Sequence, residues 1–533
     1  MELIINENLD KRIEQMKEVI RQEIPSFQEL GHKFLDKEIT SGEFKATSGG
    51  MGVYAQRSGD RFMLRLRILS GVLDIKTLTL IHEIVKEYSL EFIHFTTRQT
   101  IQLHNLTFDD MIAIMEKCLD YNILARGGGG NYPRNVSLSP LSGVALEEAF
   151  DVTPYALLVN KYFLSQINTY HLPRKFKVAF SNSAEDSAKA SIADLGFLAV
   201  KEGNKEYFKV YLGGSLGSKG ELAVPYPKLI KPQEIFYHIE ALLSLFQEEG
   251  DYENKAKARI RYIVKRMGSE LFLDCYEKHL EQVKSSSKLD FEIISDEEIV
   301  SDVIEKEEAE LNPALVIPQK QGNLYSVEIH PLGGHLKAEA LGKILHFIKK
   351  IKDVQLRLSM EESMIIRNLT ADQAKNLLEL TKDIRMTSRL GRSICCIGFP
   401  TCQIGIQNGN SLLVNILDYF KDKKLKGDIL PRISISGCTN SCARHQVGAI
   451  GLQGKKKRVK DQTEDAYALF LGGEVGQEGT RLGEECGDLL AKDIPEFLYE
   501  LALLLENKKL EFEECFRQEK DEVIELINKY VII

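Results

Sequence analysis

An α+β chain built by internal duplication, with pseudo-twofold symmetry, follows from two features of this sequence. Strand-like alternation and helix-like periodicity succeed each other over short distances. In addition, GVLDIKTLTLIHEIVKEYSLEFIHFTTRQTIQLHNLT (71–107) matches GHLKAEALGKILHFIKKIKDVQLRLSMEESMIIRNLT (334–370) without a gap. Taken in order, RFMLRLRIL (61–69) has the period of a strand and DIKTLTLIHEIVKEY (74–88) that of an amphipathic helix. FIHFTTRQTIQLHNL (92–106) reads as further strand. The match then continues at a slightly shorter offset. Arg134 faces Arg392, Leu-Pro-Arg at 172–174 faces 430–432, Asn182-Ser183 faces Asn440-Ser441, and LGGSLG (212–217) faces LGGEVG (471–476). Collinear order implies a duplicated two-module unit, with a site expected at the junction. Between the copies, residues 284–323 are Ser-rich, then acidic, then broken by Pro313 and Pro318, and read as the connection between halves at about 1–310 and 311–533.

At 533 residues the chain exceeds one ordinary core, and about 150 residues per domain suggests three or four. Hydrophobic residues at 43% and charged residues at 28% describe a globular rather than a disordered or membrane protein. The opening MELIINENLDKRIEQMKEVI is charged from its second residue, and FLYELALLL is broken by Glu500. A cytoplasmic protein without targeting signal or membrane span is expected. A net charge of −9 argues against a dedicated nucleic-acid binder, so any anion site must be local.

Four of the nine cysteines lie on two loops. CCIGFPTC (395–402) spaces Cys396 and Cys402 as Cys-x5-Cys, and GCTNSC (437–442) spaces Cys438 and Cys442 as Cys-x3-Cys. In the continued alignment these four face Leu138, Val144, Phe180 and Ala184, and Cys395 faces Ser137. Packing alone does not call for four thiols where the sister half has apolar residues, so the C-terminal half carries a site of its own. Gly398, Pro400, Gly405 and Gly437 let the backbone turn tightly around a bulky object. Structural zinc sites favour knuckles of roughly two to four intervening residues, so the longer spacing leans towards an iron–sulfur cluster, with zinc and buried or reactive thiols as alternatives. His445 reads as a polar neighbour rather than the fourth ligand of a zinc site. Cys118, Cys275, Cys486 and Cys515 stand singly in helix-like patterns and read as core thiols.

The N-terminal half lacks thiols at those places but has cations: Arg65, Arg67, Arg98, Arg134, Lys175 and Lys177. Alternation puts Arg65 and Arg67 on one strand face, and Lys175 and Lys177 likewise. Each pair alone reads as a solvated face. Converging in an acidic protein they make an anion site, Arg as a bidentate clamp and Lys as a proton-bearing charge. GGSLGSKG (213–220) lacks phosphate-loop spacing, and no G-x-G-x-x-G opens a helix, so electrons for any redox step must come from another protein. KKKRVK (455–460) reads as a solvated loop, with docking of an acidic electron carrier as a second reading.

Together these residues resemble the sirohaem-dependent sulfite and nitrite reductases. The C-x5-C and G-C-x-N-x-C loops, the R-Q-x-x-Q-x-H strand, the R-N-V loop and L-P-R-K-F-K occur in the family's order from about residue 45 to 500. The resemblance implies an N-terminal extension (1–45), ferredoxin-like half-domains at 46–115 and 324–385, a sirohaem and substrate module at 116–283, a linker at 284–323, and a [4Fe–4S] and sirohaem module at 386–533. It implies that Cys396, Cys402, Cys438 and Cys442 bind a [4Fe–4S] cluster, with Cys442 also bridging to sirohaem iron. Arg65, Arg134, Lys175 and Lys177 would surround the substrate, and Arg98, Gln102, Asn440 and Arg444 would meet the macrocycle and its carboxylates. The implied reaction is the six-electron reduction of sulfite to sulfide, with nitrite to ammonium as the alternative. In plant-type members the second basic residue of L-P-R-K-F-K is Lys for sulfite and Asn for nitrite, so Lys177 favours sulfite. The expected partners are a small oxyanion and a separate donor, a ferredoxin or a flavoprotein or iron–sulfur subunit, without nucleic acid or membrane. A non-enzymatic electron carrier or a zinc-stapled binding module would leave the cationic set without a task.

Overall fold

The structure, a computed structural model, describes residues 5–291, 315–476 and 479–532. Most of the expected 284–323 connection lies outside them. The pattern at 61–69 forms the strand Phe62–Leu66, antiparallel to Ile101–Leu106. Asp74 caps the helix Ile75–Glu87 by accepting the Thr77 N–H, and the helix buries Leu78, Leu80, Ile81, Ile84 and Val85. Residues 92–106 make two strands rather than one, Phe92–Phe95 and Ile101–Leu106, because the chain reverses with Gln99 at φ 54°. The second copy repeats this with Gln355–Leu358 and Met364–Leu369 around Glu362 at φ 59°. Thr107 and Thr370 cap the helices that follow, and Asn105 and Asn368 share left-handed backbone.

The two five-stranded sheets exchange their edges. Val72–Leu73, from the first copy, pairs antiparallel with the second, Leu73 opposite Leu356. In return the Ala338 N–H reaches the Glu91 carbonyl at 2.9 Å. Each copy therefore completes the other's sheet, and both ferredoxin-like repeats belong to one compact unit. That unit comprises Met1–Ser215, Glu221–Glu328 and Lys337–Lys382, and the second comprises Leu216–Gly220, Ile329–Leu336 and Asp383–Ile533.

Each unit also holds a larger mixed sheet of one design. In the first, Ser137–Leu138, Val178–Ser181 and Leu195–Glu202 run parallel, then Lys205–Leu212 and Val224–Pro225 reverse. Phe176, Phe180, Phe197 and Phe208 are fully buried in its core. The second unit repeats the order with Ile394–Cys395, Ile433–Ser436, Ile450–Val459, Gln462–Leu471 and Glu484–Leu490. The basic run at 455–460 is thus strand, not loop, up to Val459. Lys455 and Lys457 both bind Asp488, at 2.7 and 2.8 Å, and Lys456 binds Asp465, so these charges are already answered by the neighbouring strands.

Strand register corrects the alignment of the thiols. Leu138 stands opposite Phe180 as Cys395 stands opposite Ile435. Cys395 therefore takes the place of Leu138 and Cys396 that of Ser139. Counted from Val178–Ser181 and Ile433–Ser436, Cys438 takes the place of Ser183 and Cys442 that of Ser187. Left-handed backbone at Asp186 and Lys189 recurs at Ser441 and Arg444. From Leu138 to Val178 the first copy uses two residues more than the second does from Cys395 to Ile433, which an ungapped alignment cannot register. The counterparts of three thiols are serines, and Ser139 Oγ lies 2.7 Å from Ser187 Oγ.

The hairpin that carries Arg98 is held by Asn135, whose buried amide donates to the carbonyls of Ile68 at 2.8 Å and of Arg98 and Gln99 at 3.1 Å while accepting the Ser70 N–H at 3.2 Å. Asn135→Leu takes this partner from the Ser70 N–H and from the Arg98 and Gln99 carbonyls, while the Ile68 carbonyl keeps the Gly71 N–H. We expect destabilisation on the order of 2–4 kcal/mol, read as a Tm lower by several degrees in calorimetry; an unchanged Tm would show that other bonds hold the turn.

Candidate active site

The cations of the first unit come from four backbone elements. Arg65 lies on the strand Phe62–Leu66, Arg98 on the hairpin turn, Arg134 after the glycine run 127–130, and Lys175 and Lys177 on the extended segment entering Val178–Ser181. Alternation sends Phe176 into the core and the two lysines to the other side. Arg65 Nη1 donates to the Gly128 carbonyl at 2.6 Å, and Arg134 donates to the same carbonyl at 2.8 Å and to Gly130 at 2.7 Å. Glycine is required in this turn, since a Cβ on Gly129 would lie 2.2 Å from the Gly49 carbonyl and 2.0 Å from the Tyr54 hydroxyl. Arg98 Nη2 donates to the Val178 carbonyl at 3.0 Å.

A buried carboxylate orders the group. Asp194 is fully buried, accepts from Arg259 Nη2 at 2.9 and 2.8 Å, and accepts the Lys177 backbone N–H at 2.9 Å. Sequence reasoning missed both partners, because Arg259 stands alone far downstream of Lys177. The hydrogen-bond network orients the Gln102 amide with its oxygen on Arg65, 3.1 Å from Nε and 2.6 Å from Nη2, and its nitrogen donating to His104 Nε2 at 3.2 Å. Gln102, expected against the macrocycle, thus positions a guanidinium. Arg67 acts as a clamp through its two Nη atoms, donating to the carbonyls of Pro133 and Arg134 and to Asn160 Oδ1 at 2.9 Å.

These charges act on each other. Burial, and then the nearness of Arg134, Arg259 and Arg67 against the opposing Asp194, pushes Arg98 down to about 9. Burial likewise pushes Arg134 down to about 10, with Arg65 and Arg259 adding to it against Tyr54. Both remain protonated at neutral pH. Lys177 is held well below the ordinary lysine value by burial, then by Lys175, Arg259 and Arg98, which makes its proton easier to give up. The Nε groups of Arg67, Arg98 and Arg134 are buried without a hydrogen-bond acceptor. Surplus buried donors and uncancelled positive charge suit a ligand carrying several carboxylates, as sirohaem does.

The thiols lie on the second unit. Cys395 is fully buried on its strand and packs in the core, whereas Cys396 and Cys402 are half-buried, Cys438 is buried and Cys442 exposed. The loop from Gly398 is stitched to the second cysteine loop by the N–H groups of Ile406 and Gln407 on the Gly437 carbonyl, at 2.9 and 3.0 Å. The Gly437 N–H donates to Cys396 Sγ at 3.1 Å, and Asn440 Nδ2 to Cys438 Sγ at 3.6 Å. Burial pushes the Cys438 thiol up, and Cys442 and Cys402 add to it, against the Asn440 backbone N–H. Three thiols that feel one another, with amide donors aimed at two sulfurs, suit a polynuclear iron–sulfur cluster. Among the described residues, no three His, Cys, Asp or Glu are arranged to hold a single metal ion. His445 is fully buried against Phe470, and burial pushes it down to about 4. Arg444 is buried at φ 60° and Asn440 is exposed. Cys118 and Cys515 lie buried on helices, Cys275 half-buried on a helix, and Cys486 on a strand rather than a helix.

Comparison with known proteins places these features. A family model described as the nitrite and sulphite reductase 4Fe-4S domain matches residues 129–284, and one described as the nitrite/sulfite reductase ferredoxin-like half domain matches 54–121 and 317–389. The 4Fe-4S model thus falls on the cationic copy, while the paired thiols belong to its duplicate. A ferredoxin–nitrite reductase of Synechococcus elongatus is 27% identical, over 91% of this chain and 93% of its own. A sulfite reductase [NADPH] hemoprotein beta-component of Oceanobacillus iheyensis is 24% identical, over 80% and 76%. The solved structure of the Mycobacterium tuberculosis NirA protein shares the fold, with TM-score 0.77 at 20% identity and 98% of each chain covered. Both half-domain repeats and the cationic module match these family models, and the chain belongs to the nitrite and sulfite reductase family, an oxidoreductase with sirohaem and a [4Fe–4S] cluster as cofactors.

Proposed function

We propose that this chain catalyses the six-electron reduction of sulfite to sulfide, taking electrons from a separate small donor such as ferredoxin. The observation that carries the reading is a second ammonium, Lys177, pressed towards its neutral form beside Lys175 in a group already holding Arg65, Arg98 and Arg134. Sulfite is the more highly charged of the two candidate oxyanions and sheds three oxygens as water, so it draws more on paired proton donors. When bound, sirohaem and the cluster supply the iron that receives substrate and the electrons that reduce it.

The residues divide the remaining work. Cys396, Cys402, Cys438 and Cys442 would hold the cluster as thiolates, and Cys442 would also serve the sirohaem. Arg98 in the first unit, and Arg444 with Asn440 in the second, would answer carboxylates of the macrocycle, while Gln102 keeps Arg65 aimed. Arg65 and Arg134, fixed on the Gly128 carbonyl, grip substrate oxygens with their remaining N–H groups. Lys175 and Lys177 deliver protons from Nζ to oxygens that leave as water. Nitrite reduction to ammonium is the second reading, favoured by the names of relatives in Synechococcus elongatus and rice. The lysines of 455–457 do not recommend themselves for donor docking, because Asp488 and Asp465 already pair with them.

Steady-state turnover with reduced methyl viologen, sulfite and nitrite side by side, decides the substrate: we expect the larger kcat/KM for sulfite, and a much larger value for nitrite overturns the choice. Lys177→Gln should lower kcat by about 100-fold or more while the sirohaem spectrum survives. Because the Lys177 pKa is lowered, its protonated form is lost as pH rises through a value below the ordinary lysine range, so the alkaline limb of the wild-type profile should fall early and change in this variant. Cys395→Ala should retain iron, whereas Cys396→Ala should lose it or hold it loosely, by metal analysis and cluster absorbance; the reverse result would move the ligand by one residue.

A further inference from the structure

We infer that Tyr54 is a further proton donor of the cationic group, its hydroxyl serving the same anion as Lys175 and Lys177. The inference rests on the function proposed above. Tyr54 lies half-buried on the strand Val53–Ala55, antiparallel to the strand that carries Arg65. The Arg65 guanidinium carbon stands 5.7 Å from the centre of its ring. Its hydroxyl fills the space that a Cβ on Gly129 would occupy at 2.0 Å and accepts the Gly130 N–H. The flanking carbonyls of Gly128 and Gly130 are those that grip Arg65 and Arg134. One glycine turn therefore holds both guanidiniums and the phenol oxygen.

The charged groups bearing on the phenol are Arg134 from the loop, Arg65 from the neighbouring strand, Lys45 from the helix Ser41–Ser48, and Arg174 from the segment that carries Lys175. Burial raises the phenol pKa, but Arg134, Arg65, the Gly130 N–H and Lys45 outweigh it, and the phenol lies below the ordinary tyrosine value. In the step, the phenol O–H bond breaks as an O–H bond forms on the departing substrate oxygen. The electron pair of the broken bond stays on Tyr54 as phenolate, held by Arg65 and Arg134, and solvent returns the proton. Tyr54 supplies no electron. A purely spacing role would need the ring and not the hydroxyl.

Tyr54→Phe separates the two, with wild type and variant compared at matched cofactor loading. Tyrosinate absorbance titrated as a wild-type minus variant difference should show one phenol ionising below pH 10. The variant should lose about tenfold or more in kcat with KM and visible spectrum unchanged, and its alkaline limb should shift. Unchanged kcat and profile, a loss confined to KM, or no early phenol in the difference titration would overturn the inference. Should the variant fail to load cofactor, wild-type protein made with 3-fluorotyrosine, a more acidic phenol, tests the same point: its alkaline limb should move to lower pH, and an unmoved limb counts against Tyr54. Wild type inactive on both sulfite and nitrite would instead bring down the proposed function, a failure visible before any variant is compared.

Discussion

Asp194, held from one side by Arg259 and from the other by the Lys177 backbone N–H, is what allows so many like charges to share one face of the first unit. A buried carboxylate of this kind is expensive unless both its oxygens are answered, and here they are. It fixes the backbone on which Lys177 rides without pairing with that lysine's ammonium. The other cations are restrained differently, by neutral carbonyls: Gly128 and Gly130 for Arg65 and Arg134, Val178 for Arg98. A carbonyl dipole orients a guanidinium and leaves its charge standing. The arrangement therefore gains rigidity without giving up its positive field, which is what recruitment of an oxyanion or a polycarboxylate requires.

The second unit uses the same loop for the opposite purpose, and the corrected register shows how. In the first copy the turn is filled by its own side chain: buried Asp186 accepts from the N–H groups of Ala190 and Ser191 at 2.6 and 2.9 Å and from Ser191 Oγ at 2.6 Å. Its counterpart by backbone conformation is Ser441, whose buried hydroxyl finds no partner. A carboxylate there would have placed a negative charge within one residue of Cys442. Exchanging Asp for Ser and Ser for Cys keeps the left-handed bends while turning a self-satisfied turn into one that presents thiols.

How much of this was legible follows from loop lengths and partner distances. The ferredoxin-like register could be read directly because each connection in 71–107 has the same length as its counterpart in 334–370, down to the left-handed residues Gln99 and Glu362. Spacing and resemblance proposed the four cysteines as ligands, and Cys395 was separable as a core residue, but its true counterpart was hidden by a two-residue difference in one connection. The cationic residues were visible as a set; what orders them was not. Asp194 and Arg259 carry no local signature, and the contact of Gln102 with Arg65 depends on strand register. The basic run misled because alternate lysines are matched across the sheet by acids distant in sequence.

The duplication also explains why a single set of anion-binding side chains suffices. At the hairpin turn the first copy has Arg98 before Gln99, and the second has Glu361 before Glu362, both with left-handed backbone at the second position. Glu361 lies 3.6 Å from Lys189, with both side chains mostly withdrawn from solvent. The charge that would gather an anion in one copy is reversed in the other and spent on an internal ion pair. A second oxyanion site of the same design would need Glu361 to be cationic and Lys189 to be released, and the two changes oppose each other electrostatically unless a ligand arrives to separate them. On the proposed function, anion recruitment falls to the copy whose turn ends in Arg98.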